Sequence, residues 1–229
     1  MKKKRISNAV IRRLPRYYRS VDDLHYNGEV RISSSALGKS MGLTASQIRQ
    51  DLSCFGEFGQ QGYGYDVEKL RSALSDILGM NNGYTAIIMG AGNLGRALIQ
   101  NFSFAHYGFQ LTAAFDTDPA LVGSHLAEVP IYHPDELEAR IAQLKPDVAI
   151  LTTPRSVVSK TANRLVEAGV TGLWNFTNVE VRLVNPEKAV VENVHFADSL
   201  LALSFMLGAH RSRQDEPRLS EDEDDTEGE

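Results

Sequence analysis

Residues 85–95, TAIIMGAGNLG, run from an apolar stretch straight into Gly90, Gly92 and Gly95 at the spacing G-x-G-x-x-G. The apolar run reads as a buried strand, the residues from Asn93 onward as a helix, and the glycines as the turn between them. The first glycine permits a tight turn, the second lets backbone approach a pyrophosphate, and the third lets helix pack on strand. Phosphates would sit at the amino end of that helix, where free N–H groups and the helix dipole favour negative charge. A second strand, expected over residues 109–115, ends in Asp116. That is where a carboxylate accepts from both ribose hydroxyls and repels a 2′-phosphate, which points to NAD(H) over NADP(H). The competing reading is a glycine-rich turn that binds nothing, with Asp116 merely opening the turn Asp116-Thr117-Asp118-Pro119.

Beyond Asp116 the pattern alternates: a strand at 129–132, a helix at 134–144, a strand at 148–152, a helix at 156–168 and a strand at 172–176. This is a doubly wound parallel sheet of Rossmann type. Ligands of such sheets bind at the carboxyl ends of the strands. The candidate cofactor set is therefore Gly90, Ala91, Gly92, Asn93, Leu94, Gly95 and Asp116, with Thr152, Thr153, Pro154, Asn175 and Phe176 lining the crevice. Residues 196–210 read as an amphipathic helix with more apolar surface than a closing helix needs, which suggests a dimer interface.

About eighty residues of a different character precede this fold. The net charge of −5 hides a strong polarity: residues 1–55 hold eleven Lys or Arg against four Asp or Glu, whereas residues 211–229 hold nine acids against three bases. A basic front suits a polyanion partner, and the acidic tail has the composition of a disordered segment. At 42% apolar and 23% charged, the composition is that of an ordinary soluble protein, and 229 residues suffice for one large domain or two modest ones. No run approaches eighteen apolar residues and no signal-peptide core follows Met1, so a cytoplasmic protein is expected. The single cysteine, Cys54, supports neither an internal disulfide nor a metal cluster and reads as a helix residue.

In the front, residues 6–25 carry helical spacing in Val10, Ile11, Leu14, Tyr17, Tyr18, Val21 and Leu24, with Pro15 placed to kink or split the helix. A short strand at 30–32 leads to the Ser33-Ser34-Ser35 cap and a helix through Met41. Gly42-Leu43 turns the chain, and Thr44 opens another helix in which Thr44-x-x-Gln47 fits a capping box. Ile48, Leu52 and Phe55 face inward, leaving Ser46, Gln47, Arg49, Gln50 and Ser53 outward. Helix, glycine turn and polar-faced helix make a helix-turn-helix, and residues 56–65, with aromatics and four glycines, read as the β-hairpin wing. The second helix would enter a major groove, with Arg49 the base-reading candidate. The candidate DNA-binding set is Arg12, Arg16, Thr44, Ser46, Gln47, Arg49, Gln50, Ser53, Gln60, Gln61 and Tyr63. A plain helical bundle with a solvated polar face is the alternative.

The stretch TASQIRQDLSCFGEFG (residues 44–59) followed by GYGY (62–65) resembles the winged-helix signature of the redox-sensing repressor family Rex. The resemblance runs from about Ser7 to Ala209 and takes in GAGNLG, AFDTDP, LTTP, Trp174-Asn175-Phe176 and Val191-Glu192-Asn193-Val194. It implies a homodimer that holds double-stranded, pseudo-palindromic operator DNA when the NADH/NAD+ ratio is low and leaves it when NADH binds. It also implies that the final helix is exchanged between subunits. The expected domains are a winged helix over 1–80, a Rossmann domain over 81–195, a dimerisation helix over 196–210 and an acidic tail over 211–229. Two departures stand out: the family often has basic residues where this chain has Gln50 and the pair Gln60-Gln61, and often an Asp where His195 stands. Fewer cations weaken phosphate attraction and leave Arg12, Arg13, Arg16, Arg19 and the arm from Lys2 to Arg5 to compensate. The His195 change puts in doubt an Arg–Asp contact expected near Arg19.

Two function classes compete. An NAD-dependent dehydrogenase with an accessory front domain would need a general acid and a cationic substrate clamp at the nicotinamide, yet His106, His125, His133 and His195 are scattered along the chain. A ligand-gated DNA-binding repressor uses every feature, with no catalytic residue and no metal, its switch a change in the relative angle of two subunits.

Overall fold

The computed structural model describes residues 6–60 and 62–215, with the side chains of Gln60 and of residues 212–215 excepted. The Lys2 to Arg5 arm, Gln61 and the acidic tail from residue 216 lie outside them. The chain divides into two compact units, one of residues up to Thr85 with Asn101–Leu111, the other of Ala86–Gln100 with residues from Thr112 onward.

The first unit runs α1 (Asn8–Tyr26), β1 (Arg31–Ile32), α2 (Ser34–Met41), α3 (Ala45–Leu52), β2 (Gly59–Gln60), β3 (Gly64–Asp66) and α4 (Val67–Ile77). Pro15 neither splits nor ends α1. Its missing N–H removes one backbone bond, but Val10, Leu14, Tyr17, Tyr18 and Val21 bury one continuous face across it. Ile11, expected on that face, is instead exposed. The hydroxyls of Ser33 and Thr44 accept from the N–H groups of Ala36 and Gln47 at 3.0 and 3.1 Å, capping α2 and α3. Only the threonine half of the expected capping box forms, because the Gln47 side-chain amide donates to Asp51. The wing is a small antiparallel sheet of order β1-β3-β2, with Ile32 opposite Tyr65 and Gly59 opposite Tyr65 on the other side. Cys54, expected in a helix, lies in the turn just past α3.

The seven-stranded sheet contains β4 (Tyr84–Met89), β5 (Phe109–Phe115), β6 (His125–Leu126), β7 (Val129–Tyr132), β8 (Val148–Leu151), β9 (Gly172–Asn175) and β10 (Val190–Asn193). Its order is β10-β9-β8-β4-β5-β7-β6. The pairs β4–β8, β8–β9, β9–β10 and β5–β7 are parallel, and β6 closes one edge as an antiparallel hairpin. Helices α5 (Asn93–Asn101), α6 (Leu137–Leu144) and α7 (Val158–Glu167) lie in the connections from β4 to β5, β7 to β8 and β8 to β9, and α6 is preceded by a 3₁₀ turn over Pro134–Glu136. Ile87, Ile88 and Met89 on β4 and Ala149, Ile150 and Leu151 on β8, which alternate between the two faces, are all essentially fully buried, as strands covered on both faces must be. β6 and β10 escape the sequence pattern. β6 is two residues long and turns through Ala127 and Glu128 at positive φ without an Asn-Gly signal, while β10 alternates weakly at the sheet edge.

The last helix, α8 (Phe196–Asp215), corrects an expectation. Leu200, Leu201, Leu203, Phe205, Met206 and Leu207 are all exposed, and at 100° per residue they surround the axis rather than forming one stripe. Over residues 200–207 the helix is apolar on nearly every side rather than amphipathic.

Candidate functional sites

Register brings one crevice together at the carboxyl ends of β4, β8 and β9. Met89 lies opposite Leu151, and Leu151 opposite Asn175, so Gly90, Thr152 and Phe176 emerge side by side. The chain on either side of β4 progresses in opposite directions, to β5 and β7 one way and to β8, β9 and β10 the other, which is where ligands of such sheets bind. Gly90 has φ +100°, and a side chain there would meet the Thr152 carbonyl oxygen at 2.9 Å. A Cβ on Gly95 would collide with the Gly90 carbonyl, so the start of α5 lies directly against the loop. A Cβ on Gly92 would meet nothing within 4 Å. Gly90 and Gly95 are thus glycine for the protein's own packing, whereas Gly92 leaves open space on the loop.

Asp116 connects the second strand to this loop. Its Oδ2 accepts from the Ala91 N–H at 2.6 Å and its Oδ1 from the Asp118 N–H at 2.9 Å. One bond serves the turn, as in the bland reading, and the other braces the glycine loop. A carboxylate has about four acceptor positions, so each oxygen keeps capacity for a ligand hydroxyl. The Thr152 hydroxyl lies 2.8 Å from the Gly90 carbonyl and 3.0 Å from that of Met89, which makes it a brace of the loop. Thr153 Oγ1 is buried and has no hydrogen-bond partner, a costly state that a polar ligand would relieve. Asn93 and Pro154 are exposed, Leu94 is half-buried and Ala91 is buried. The residues present fit a dinucleotide: an open glycine face, a helix amino end, a carboxylate with spare acceptors and an orphaned hydroxyl.

Asn175 corrects the expected set. Its Nδ2 donates to the Val179 carbonyl and to Asn193 Oδ1 at 2.7 and 2.8 Å, and its Oδ1 accepts from the N–H and hydroxyl of Thr177 at 3.0 and 2.7 Å. The amide is saturated, so Asn175 ties β10 and the loop after β9 together and has no bond to spare for a ligand. Phe176 packs edge-on to Trp174 at 4.5 Å and lies 6.0 Å from Phe196 at the start of α8. Phe102 and Tyr107 stack on each other at 5.3 Å in the first unit.

The second candidate surface is α3. Ser46, Arg49, Gln50 and Ser53 form one exposed row, opposite the fully buried Ile48 and Leu52. Gln47 lies half-buried on the flank. Arg49 Nη1 donates to the Ser34 hydroxyl at 2.9 Å, and the two residues line a cleft of about 960 Å³ between α3, the start of α2 and the wing. The Ser53 hydroxyl donates to the Gln50 carbonyl at 2.8 Å. Tyr63 is 69% exposed near the wing tip, with the Arg31 guanidinium 5.9 Å from its ring centre. Arg31 was absent from the sequence-derived set because its position on β1 becomes meaningful only through the wing pairing. Arg12 and Arg16 are exposed, and Arg16 also donates to the Met41 carbonyl at the end of α2 at 3.0 Å.

Arg13 and Asp51 depart most from the sequence reading. Asp51, on the recognition-type helix, is 1% exposed, and Arg13 is not a spare cation for phosphate but its partner. Arg13 donates through Nε and Nη2 at 2.6 and 2.9 Å, the Tyr17 hydroxyl donates at 2.6 Å, and Gln47 Nε2 donates at 2.7 Å. Burial pushes the Asp51 carboxyl up, but the bonds from Arg13, Tyr17 and Gln47 together outweigh it and hold it below its ordinary value. The Tyr17 phenol is pushed up by burial and by its bond to Asp51. The sequence did carry a signal: Asp51 shares the face of Ile48 and Leu52.

A family model described as the CoA binding domain matches residues 81–179, and one described as the putative DNA-binding protein N-terminus matches residues 5–53. The redox-sensing transcriptional repressor Rex of Clostridium beijerinckii is 46% identical over 211 residues, covering 92% of this chain and 99% of its own. That of Clostridium botulinum strain Hall is 48% identical over 206 residues, covering 90% and 97%. The chain belongs to the Rex family. Among solved structures, RSP in complex with β-NAD+ and operator DNA aligns with a TM-score of 0.84 at 45% identity, covering 92% of this chain and 96% of that one. RSP in complex with β-NADH aligns at 0.85 and 42% identity, covering 92% and 98%.

Within this Rex chain, the two departures noted in the sequence occupy defined places. Gln50 sits in the exposed row of α3, and Gln60 opens the wing hairpin opposite Gly64. The ring nitrogens of His195 lie 3.3 Å from Asn178 Oδ1 and 3.3 Å from Glu180 Oε1. Among the described residues, no helix is long and apolar enough to cross a membrane.

Proposed function

We propose that this protein is an NADH-gated repressor: a homodimer that occupies a pseudo-palindromic operator when NADH is scarce and leaves it when NADH binds. The observation that carries the reading is the coexistence, in one Rex chain, of an exposed polar row on α3 with a glycine crevice whose Asp116 keeps free acceptor capacity. Gly92 and the amino end of α5 would hold the pyrophosphate, Asp116 the adenosine ribose, and Thr153 a polar group deeper in the crevice. NADH and NAD+ differ by one hydride and one charge, so the packing around the nicotinamide end decides which form is sensed. Asn175 and Thr152 act by bracing the crevice walls.

On DNA, Ser46, Arg49 and Gln50 would face the major groove and Tyr63 would travel with the wing, while Arg12, Arg16, Thr44 and Ser53 border the phosphates. The exposed apolar surface of α8 supports an obligate partner, and a second copy satisfies it. Two-fold symmetry then sets half-sites about 34–36 Å apart or a multiple of that. The repressor reading uses both the exposed row of α3 and the glycine crevice, whereas a dehydrogenase would need a general acid and a cationic substrate clamp at the nicotinamide. The cytoplasm is the compartment in which such a sensor meets both DNA and NADH.

The test is an anisotropy titration of a palindromic promoter fragment at fixed salt, alone and with NADH, NAD+ or NADPH. Release of specific DNA by NADH alone is expected. Tight NADH binding with no specific DNA binding would reopen the dehydrogenase reading.

A further inference from the structure

We infer that Asp51 is a positioning residue of DNA recognition, a buried carboxylate that fixes the roll of α3 about its own axis and so aims the exposed row Ser46, Arg49 and Gln50. The inference rests on the repressor reading above and deepens it. Four bonds converge on one carboxylate that is 1% exposed, two from Arg13, one from Tyr17 and one from Gln47. Arg13 and Tyr17 belong to α1, so three of the four tie one helix to the other. Gln47 lies one turn before Asp51 on α3 itself, on the flank between the buried and exposed rows.

Apolar packing alone would leave that roll loosely specified. Ile48 and Leu52 form a narrow buried edge on an eight-residue helix, and apolar contact is non-directional. A fork of Arg13 on a carboxylate is directional in plane and angle. Rotating α3 by a few tens of degrees would retain much of the apolar contact but would break this fork, and would carry Gln50 and Arg49 off any base edge they read. Burial of such a pair is weak grounds for stability, since apolar replacements are often equally stable. Orientation is what the geometry supplies.

A structural role and a positioning role predict different outcomes. Loss of folded protein lowers affinity for operator and for unrelated DNA by the same factor, leaving their ratio unchanged. Loss of aim lowers the operator affinity alone. The experiment compares full-length wild type, Asp51→Asn and Tyr17→Phe by anisotropy on operator and on a scrambled duplex, across a salt series, with NADH binding and circular dichroism as measures of folding. We expect Asp51→Asn to lose at least ten-fold on operator and less than two-fold on scrambled DNA, with the salt slope unchanged because no phosphate contact is removed. Tyr17→Phe, which removes one of the four bonds, should show a smaller loss in the same ratio. Equal losses on both duplexes overturn the inference. If Asp51→Asn does not fold, Tyr17→Phe decides, and an unchanged operator-to-scrambled ratio in it overturns the inference as well. Wild type that binds NADH but no specific DNA would instead sink the repressor reading.

Discussion

Two aspartates, one in each unit, show how differently the same side chain is used. Asp51 is buried and saturated, with four bonds from three residues. Asp116 is partly exposed and accepts two backbone bonds. A carboxylate whose acceptor positions are all taken by its own chain can only hold and orient that chain. One that keeps half of them at the mouth of a crevice is equipped to hold something else. The glycines repeat the contrast: Gly95 is closed by the Gly90 carbonyl, whereas Gly92 faces open space.

The largest effect should come from breaking the saturated site. Asp51→Ala leaves Arg13 without its partner and should lower the unfolding free energy by about 3–5 kcal/mol, as for other broken buried pairs, read from denaturant melts. The sign of its pH dependence follows from the depressed folded-state value. The stabilisation is fully present above the unfolded value of about 3.9 and is lost as pH falls through the lower folded one. The stability gap between wild type and Asp51→Ala should therefore be constant near neutrality and begin to narrow as pH falls below about 4. A gap that does not narrow at all below about pH 4 would mean the network does not act through the ionised carboxylate.

Arg49→Ala should cost about 1–3 kcal/mol on operator if Arg49 reads a base. An equal loss on random DNA, with the salt slope reduced by about one, would make it a phosphate contact inside the cleft it shares with Ser34. The open site should respond more selectively. Gly92→Ala is expected to leave melting within about 0.5 kcal/mol of wild type while weakening NADH binding at least ten-fold, about 1.4 kcal/mol, by calorimetry. Asp116→Ala should leave operator binding intact and blunt release by NADH, and a variant released at the wild-type NADH concentration would remove Asp116 from the ribose. Reciprocity sharpens the last test. If NADH weakens DNA binding, operator must weaken NADH binding by the same factor, typically about 5- to 150-fold.

Much of the molecule is legible in its sequence. The span of β5, the caps at Ser33 and Thr44, the wing and the three glycines all follow from local rules of period, capping and turn conformation, which the sequence states directly. Less legible were features set by partners distant in the chain. Pro15 sits inside a continuous helix because side chains on both sides of it share one buried face. Arg13 looked like a free cation until folding placed Asp51, thirty-eight residues away, against it. Asn175 sits where a ligand residue would, yet Val179, Thr177 and Asn193 take every bond it has.

The sequence by itself determined the two fold types, the order in which they occur and the crevice that a dinucleotide fits, because strands, helices and glycine turns are decided by neighbours a few residues apart. Only the tertiary structure decided which polar groups are spent and which are spare. Hydrogen-bond saturation depends on atoms brought together from remote positions, and no local pattern encodes it.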